Sequence, residues 1–457
     1  MFSLASLGAP TLSTTPSGAY SGSKSVLGLT INVNVNVNDG STMDFHLDAG
    51  GQVTIDCKAE KYAYDGASSI TLPDQGTAGD CIHDAEAAQH VTLVGVDYDA
   101  AADTTTIRAK YTVVPVTIEL TKSGAAPAAR FGAMAPDHEG MFAEYETYFA
   151  KSYTAAERPL RLAAFVENLA AIEARNADGG LGHHWVGKFA DLSKEEFKAR
   201  YLGYKPKADA SAGQEEDDSL EAALATPASS IDWRNKKVGG TKVLTPVKDQ
   251  KQCGSCWAFS ATEQIETDVA IATGQLLDLS PQQIVSCDHK DLGCNGGNTE
   301  TAYDYVAQAG LETDKEYPYS SGSGRSGTCK AKSGKSAVQI GGYKTVSKKK
   351  SSEGKMVTQI AKSPISVCVD ASSWQTYSKG VVGRSCGSEL DHCVQAVGLN
   401  VDDDSKPYWI VRNSWNTDWG EGGYIYVQQG IDACGIAKDA TVVTGAKIAT
   451  AVEASSA

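Results

Sequence analysis

Cysteine does most to limit what this chain can fold into. There are eleven in 457 residues, more than a reducing cytosol ordinarily keeps, and they point to an oxidising compartment where pairs close as disulfides. The number is odd, so complete pairing leaves at least one thiol over. Cys57 and Cys81 stand in the first third of the chain, and every other cysteine lies beyond Trp233. At this length the chain is too long for one ordinary domain, and two or three units are expected.

The two regions differ in pattern as well. Residues 20 to 122 read as strands: Leu29-Thr30-Ile31-Asn32-Val33 alternates apolar with polar, and Thr105 to Ala109 is rich in β-branched residues. Asn38-Asp39-Gly40, Ala49-Gly50-Gly51 and Asp65-Gly66 supply turns between them. The expectation is an antiparallel β domain, sandwich or barrel, over residues 1 to 122, with Cys57 and Cys81 as a candidate internal disulfide. An Ala-, Gly- and Pro-rich stretch from 123 to 136 reads as a linker. From about Asp137 to Asn176 the apolar residues take helical spacing. Residues 208 to 226, with Glu215-Glu216-Asp217-Asp218, have little to bury and read as an exposed tether. Beyond Ile231-Asp232-Trp233 runs a longer mixed α/β segment.

No apolar run approaches the roughly 20 residues of a bilayer span, so no membrane span is expected. The net charge of −15 would be repelled by nucleic-acid phosphates, and no nucleic-acid partner is expected either. Met1 to Pro10 is short and mildly apolar, with no basic residue before Lys24, so the leader that the cysteines call for is not in view. Either the start has been trimmed or targeting is unconventional.

The last segment carries the chemistry. A cysteine attacks carbonyl carbon as a thiolate, which needs a basic partner or a helix N-terminus to form. Cys256 lies in Gln250-Lys251-Gln252-Cys253-Gly254-Ser255-Cys256-Trp257-Ala258-Phe259-Ser260. Small residues precede it and a helix-suited run follows, which puts its sulfur where the helix dipole favours negative charge. Two histidines lie beyond Trp233. His289 sits in the polar stretch between Cys287 and Cys294, whereas His392 opens the apolar run Cys393-Val394-Gln395-Ala396-Val397, a strand able to hold the imidazole rigidly.

The Cys256 run closely resembles the active-site motif of papain and cathepsin L-like peptidases. So do Leu390-Asp391-His392-Cys393-Val394 and Tyr408-Trp409-Ile410-Val411-Arg412-Asn413-Ser414-Trp415, in the family's order. The resemblance covers roughly residues 137 to 445 and implies a two-lobed α+β fold, one lobe mainly helical and one mainly β. Carried over by position, Cys256 is the nucleophile, His392 the base, Asn413 the residue that orients the ring, Trp415 its shield from water, and Gln250 the oxyanion-hole side chain. Gly296, Gly297, Cys368, Leu390, Cys393, Trp415 and Asp439 fall at substrate-binding positions. Asn416 departs from the family's usual glycine.

Upstream, Glu157, Arg161, Phe165, Asn168, Ile172 and Asn176 match the interspersed motif of cathepsin L-like propeptides, at intervals of three and four that align them along one helical stripe. Phe189 and Asp191 match a second propeptide motif in part, Gly187 replacing its asparagine. The resemblance therefore implies an inhibitory propeptide over 137 to 226, crossing the cleft in the unproductive direction, ahead of a peptidase domain over 227 to 457. It implies the disulfides Cys253–Cys294, Cys287–Cys329 and Cys386–Cys434. It also sets Cys368 and Cys393 on neighbouring strands, where a fourth bridge is expected and two small free thiols are the alternative.

The expected protein is a cysteine endopeptidase zymogen acting on protein and peptide substrates. It would be monomeric, free of metal and cofactor, held by its own propeptide, and secretory, in a lysosome-like compartment or outside the cell. A catalytically silent binding or storage protein on the same fold is the rival. Asp439 implies that a basic side chain is accepted two residues before the cut, besides apolar ones admitted by Leu390, unless Lys438 neutralises it. A ligand-binding or targeting module is an additional possibility for residues 20 to 122.

Overall fold

The computed structural model describes residues 15–27, 29–49, 53–89, 91–112, 114–122, 137–207, 229–332, 334–402 and 406–449. The expected linker, and the tether over 208 to 226, lie outside them. Two compact units result, Met1–Ala177 and Asp178–Ala457.

The first unit begins with strands β1 (Gly18–Val26), β2 (Leu29–Val37), β3 (Thr42–Ala49), β4 (Thr54–Lys61), β5 (Ala63–Tyr64) and β6 (Ser69–Thr71). Helix α1 (Cys81–Gln89) and strands β7 (Val91–Asp99), β8 (Thr104–Tyr111) and β9 (Val114–Lys122) follow. The strands pair in the order β4-β3-β2-β1-β9-β8-β7-β6-β5. In β2 every odd-numbered residue from Leu29 to Val37 is buried and every even-numbered one exposed, as a two-residue period on a half-buried sheet demands. The buried residues of this sheet form one core with Tyr20, Phe45, Tyr98 and Ile118, so it closes on its own apolar face rather than lying flat. Asp39 and Asp65 shape two of the expected turns, each carboxylate accepting backbone N–H groups just downstream.

One part of that region is not strand. Cys81 to Gln89 is helical, pinned by the disulfide Cys57–Cys81 and by Asp80, whose carboxylate accepts the His83 N–H at 3.0 Å. Within the same unit, helices α2 (His138–Tyr148) and α3 (Arg158–Ala177) pack together. Phe165, Asn168 and Ile172 of the stripe are buried, and Phe165 meets Phe142 and Tyr145 of α2. Arg158 clamps the two helices by reaching Glu139 and Glu146. Glu157 lies one residue before α3, where it accepts from Thr154. Asn176 donates to the Leu27 carbonyl at 2.8 Å.

The second unit opens with β10 (Gly182–His184) and α4 (Lys194–Tyr201). Ser193 and Glu196 close a capping box on α4. Helices α5 (Cys256–Thr273), α6 (Pro281–Cys287) and α7 (Thr299–Ala309) then build one lobe, whose core includes Trp257, Ile265, Ile284 and Tyr303. Helix α8 (Glu353–Ile360) packs on the other lobe. There the strands 377–382, 424–428, 408–412, 392–400, 365–369, 440–444 and 342–347 lie in that order in one sheet, with β10 added at the 377–382 edge. The lobes meet where α5 lies against strand 392–400. Ser260 Oγ donates to Val394 O at 2.7 Å, and Gln395 Nε2 donates to Thr267 Oγ1 and Gln264 Oε1 on the helix. These buried polar groups are satisfied across the seam, which fixes its register.

Candidate active site

Cys256 is the first residue of α5, and Ser255 before it offers no side-chain cap to the helix. The N-terminal N–H groups and the dipole are therefore directed toward the sulfur. The preceding loop is tied down by Cys253–Cys294 and by Gly254 N–H donating to Cys294 O at 3.0 Å. Gln250 is fully buried beside it: Nε2 donates to Cys253 O and Tyr201 O, both at 2.9 Å, and Oε1 accepts from Ser414 Oγ at 2.7 Å.

His392 opens its strand and is fully buried. Its Nε2 lies 2.8 Å from Asn413 Oδ1, an oxygen that also accepts the Ser414 N–H. An acceptor at that place holds the imidazole proton on Nε2 and leaves the Nδ1 lone pair open. Nδ1 is buried without a hydrogen-bond partner among the described residues. The Trp415 ring lies over the imidazole with centroids 4.7 Å apart, and Trp374 stands edge-on at 6.1 Å.

Residues 201 to 205 cover this centre. Tyr201 O takes the Gln250 amide proton; Gly203 O accepts from Gly297 N–H at 2.8 Å; Tyr204 N–H donates to Asp391 O at 3.0 Å; Lys205 N–H donates to Gly297 O at 2.8 Å. The bridge between Tyr204 and Gly297 is parallel. Upstream, Phe189 and Phe197 meet Trp415 edge-on, and Lys188 Nζ donates to Trp415 O at 2.6 Å. Desolvation under this cover pushes the Cys256 thiol up to about 12, against smaller opposing contributions from the N–H groups of Cys393, Gly203 and Trp257. Burial likewise presses His392 down to about 4, partly offset by Asn413. Both groups are held uncharged while covered.

Residues 227–444 match the papain family cysteine protease model, and residues 142–197 the cathepsin propeptide inhibitor domain. Cysteine proteinase 2 of Leishmania pifanoi is 38% identical over 339 residues, 72% of this chain and 74% of that protein. The chain belongs to the papain family of cysteine proteases. Cysteine endopeptidase Rep1 of Oryza sativa is also 38% identical, over 62% of this chain and 78% of its own. Among solved structures, digestive procathepsin L 3 of Tenebrio molitor larval midgut aligns with TM-score 0.57 and 30% identity, over 68% of this chain and all of that one. A recombinant stem bromelain precursor aligns at the same TM-score with 32% identity, over 68% of this chain and 99% of its own. The protein is thus a cysteine-type peptidase made with an inhibitory propeptide, and the rival silent reading finds no support among these relatives.

The papain-family unit carries disulfides Cys253–Cys294, Cys287–Cys329, Cys386–Cys434 and Cys368–Cys393. Cys368 and Cys393 are directly opposed on paired strands. Cys256 is the free cysteine. Asn416 adopts φ +66°, a left-handed conformation that glycine takes freely and asparagine tolerates best among other residues. That is the physical account of its departure from the family pattern. Gly187 is equally benign, since a Cβ there would meet nothing within 4 Å. Gly297 is constrained: its Cβ would strike the Trp257 ring at 2.6 Å. At Gly296, φ is +111° and a Cβ would lie 2.7 Å from Gly203 O.

Asp439 is buried, and burial raises it to about 6. The lysine beside it is not Lys438, which turns away to donate to Ser388 O. It is Lys348, 3.7 Å from Asp439 Oδ1 and bound at 2.5 Å to buried Glu300. Sequence reasoning missed Lys348, Glu300, Gly203 and Tyr204. None lies in a motif with Cys256, His392 or Asn413, and only folding brings them together.

Proposed function

We propose that Cys256 is the nucleophile of an acyl-transfer cycle in which His392 Nδ1 takes and returns the proton. The thiol proton passes to Nδ1 as sulfur adds to the scissile carbonyl carbon. Gln250 Nε2–H and the Cys256 N–H hold the oxyanion, and the imidazolium then protonates the departing amine. Water, deprotonated by the same imidazole, hydrolyses the thioester. Asn413 keeps the ring oriented through Nε2, and Trp415 shields that bond. Gly296, Gly297, Leu390, Asp439 and the Cys368–Cys393 bridge line the substrate side. The observation that carries this reading is the Asn413–His392 pair with Nδ1 left open, beside a free cysteine at a helix N-terminus.

Residues 201 to 205 keep the chain latent by occupying the Gln250 amide and both polar groups of Gly297. Its disulfides suit the secretory pathway, a lysosome-like compartment or the exterior of the cell; proteins and peptides are the substrates, and the enzyme acts as a monomer. A thiol-reactive epoxide should label the processed enzyme at Cys256 with one-to-one stoichiometry and abolish turnover. Full activity after labelling, or in Cys256→Ala, would remove the assignment.

A further inference from the structure

Two acceptors on the far side of His392 converge on one ammonium. Lys188 Nζ donates to Trp415 O at 2.6 Å and to Asp418 Oδ1 at 2.5 Å. The Lys188 side chain is 17% exposed and so mostly packed away, whereas that of Asp418 is 59% exposed and faces water. Lys188 also lies against Phe189, whose ring centroid is 5.3 Å from Nζ. Among the described residues no other cation pairs with Asp418.

Both acceptors are held in place by contacts that do not involve Lys188. Gln250 N–H donates to Ser414 O at 2.9 Å, and Asn416 N–H to Lys248 O at 3.0 Å. In an antiparallel bridge of that kind the residue between the bonded pairs turns its own carbonyl outward, and that residue is Trp415. Trp419 meets Trp415 edge-on at 4.9 Å and donates Nε1–H to Trp374 O at 3.2 Å. Between the two tryptophans the chain turns through the left-handed Asn416. Both ends of this turn are buried, and it presents the Trp415 carbonyl and the Asp418 carboxylate together. When the propeptide leaves, both lose Lys188.

Their place relative to the cut follows from the acyl-transfer reading, on which this inference rests. The His392 imidazolium protonates the departing amine, so the departing half of the substrate runs past that ring. Trp415 lies over the same ring, and the turn that follows it borders that half. The covering segment has the same polarity: Phe189 and Phe197 lie against Trp415, while residues 203 to 205, across Cys256, bond to Gly297.

We propose that Trp415 O and Asp418 hold the basic side chain of a residue in the departing half of the substrate, within roughly three residues of the cut. Lys188 is the chain's own occupant of that place. An exposed carboxylate by itself gains little from a cation. The second acceptor supplies the selectivity, since a peptide carbonyl and a carboxylate on one ammonium form two charge-assisted bonds that a neutral side chain cannot make.

The test uses processed enzyme and peptides identical up to the cut, with lysine, alanine or glutamate placed in turn at each of the next three positions. At one of them wild type should favour lysine over alanine by about three- to tenfold in kcat/KM, with glutamate poorest. The preference should shrink as salt is added, because Asp418 is exposed. Asp418→Asn should bring the lysine-to-alanine ratio to within about twofold of one, and Asp418→Lys should place glutamate above lysine. In the unprocessed chain, Lys188→Met should speed epoxide labelling of Cys256 by about three- to tenfold, a change that leaves the enzyme unit unaltered. Ratios near one at all three positions in wild type, a lysine preference that survives Asp418→Asn, or Lys188→Met labelling at the wild-type rate would overturn the proposal with the peptidase assignment intact. Failure of wild type to turn over any of the peptides would instead remove the assignment beneath it.

Discussion

Replacing Gly203 by alanine should open the latent enzyme. An ideal Cβ at 203 would sit 1.9 Å from Gly254 O and 2.4 Å from Gly254 C, where real Cβ contacts essentially never fall below 3.0 Å. The obstacle is backbone, tied by Cys253–Cys294 and unable to rotate away as a side chain could. Segment 201 to 205 must therefore retreat by about 1 Å, which stretches hydrogen bonds now at 2.8 to 3.0 Å out of range. Four are at stake: Gln250 to Tyr201, Gly297 to Gly203, Tyr204 to Asp391, and Lys205 to Gly297. At about 0.5–1.5 kcal/mol each, losing two to four of them costs a central value of about 3 kcal/mol, or roughly 150-fold in the opening equilibrium. The assay is the rate at which a thiol-reactive epoxide labels Cys256 in the unprocessed chain at neutral pH, since labelling needs the cover to lift. Gly203→Ala should label about two orders of magnitude faster than wild type. After processing, the two proteins should label alike. A rate within twofold of wild type, with an unchanged melting curve, would refute the reasoning, because it would mean that the clash is absorbed without moving the cover.

Gln250→Ala should lower kcat by about 10²–10³ with little change in KM, the cost of one oxyanion donor; a change confined to KM would remove Gln250 from that role. Acid incubation should produce self-processing between Ala208 and Ser230, because Asp439, which burial raises to about 6, loses its charge in acid and with it the charge-assisted bond from Tyr204 of the covering segment. Cys256→Ala should stay intact under the same conditions, and equal cleavage of the mutant would assign the cut to another protease. Glu263 is 1% exposed, and burial raises it to about 7 against the opposing pull of Arg412. A raised carboxylate favours the protonated fold, so its contribution is complete below about pH 4.5 and is lost as pH climbs through 7. Glu263 should therefore supply about 2–3 kcal/mol of the fall in stability between pH 4.5 and 7.5, alongside Asp268 and Asp391, which burial also raises to about 7; Glu263→Gln should make the fall in urea midpoint shallower by that share, and an identical slope in the mutant would place its origin elsewhere.

Much of this protein is decided locally and can be read from the chain itself. The alternation in Leu29 to Val37 is enough to make a half-buried strand, because a two-residue period admits no other placement of its apolar face. The interval-three-and-four stripe from Arg161 to Asn176 is enough to make α3, and an odd cysteine in a helix-starting run marks where a thiolate could be stabilised. The helix at Cys81 to Gln89 was hidden by its weak amphipathicity. Only its disulfide to β4 and its packing on β4 and β7 give it a reason to coil. The state of the active site was not local at all. That Cys256 and His392 are held neutral depends on Tyr201 to Lys205, more than fifty residues upstream of Cys256, closing over them. The charge around Asp439 depends on Lys348 and Glu300, which the chain separates by 48 positions from each other. Burial and Coulomb interaction are properties of distance in space, and sequence carries no record of that distance until the lobes and the propeptide segment have packed.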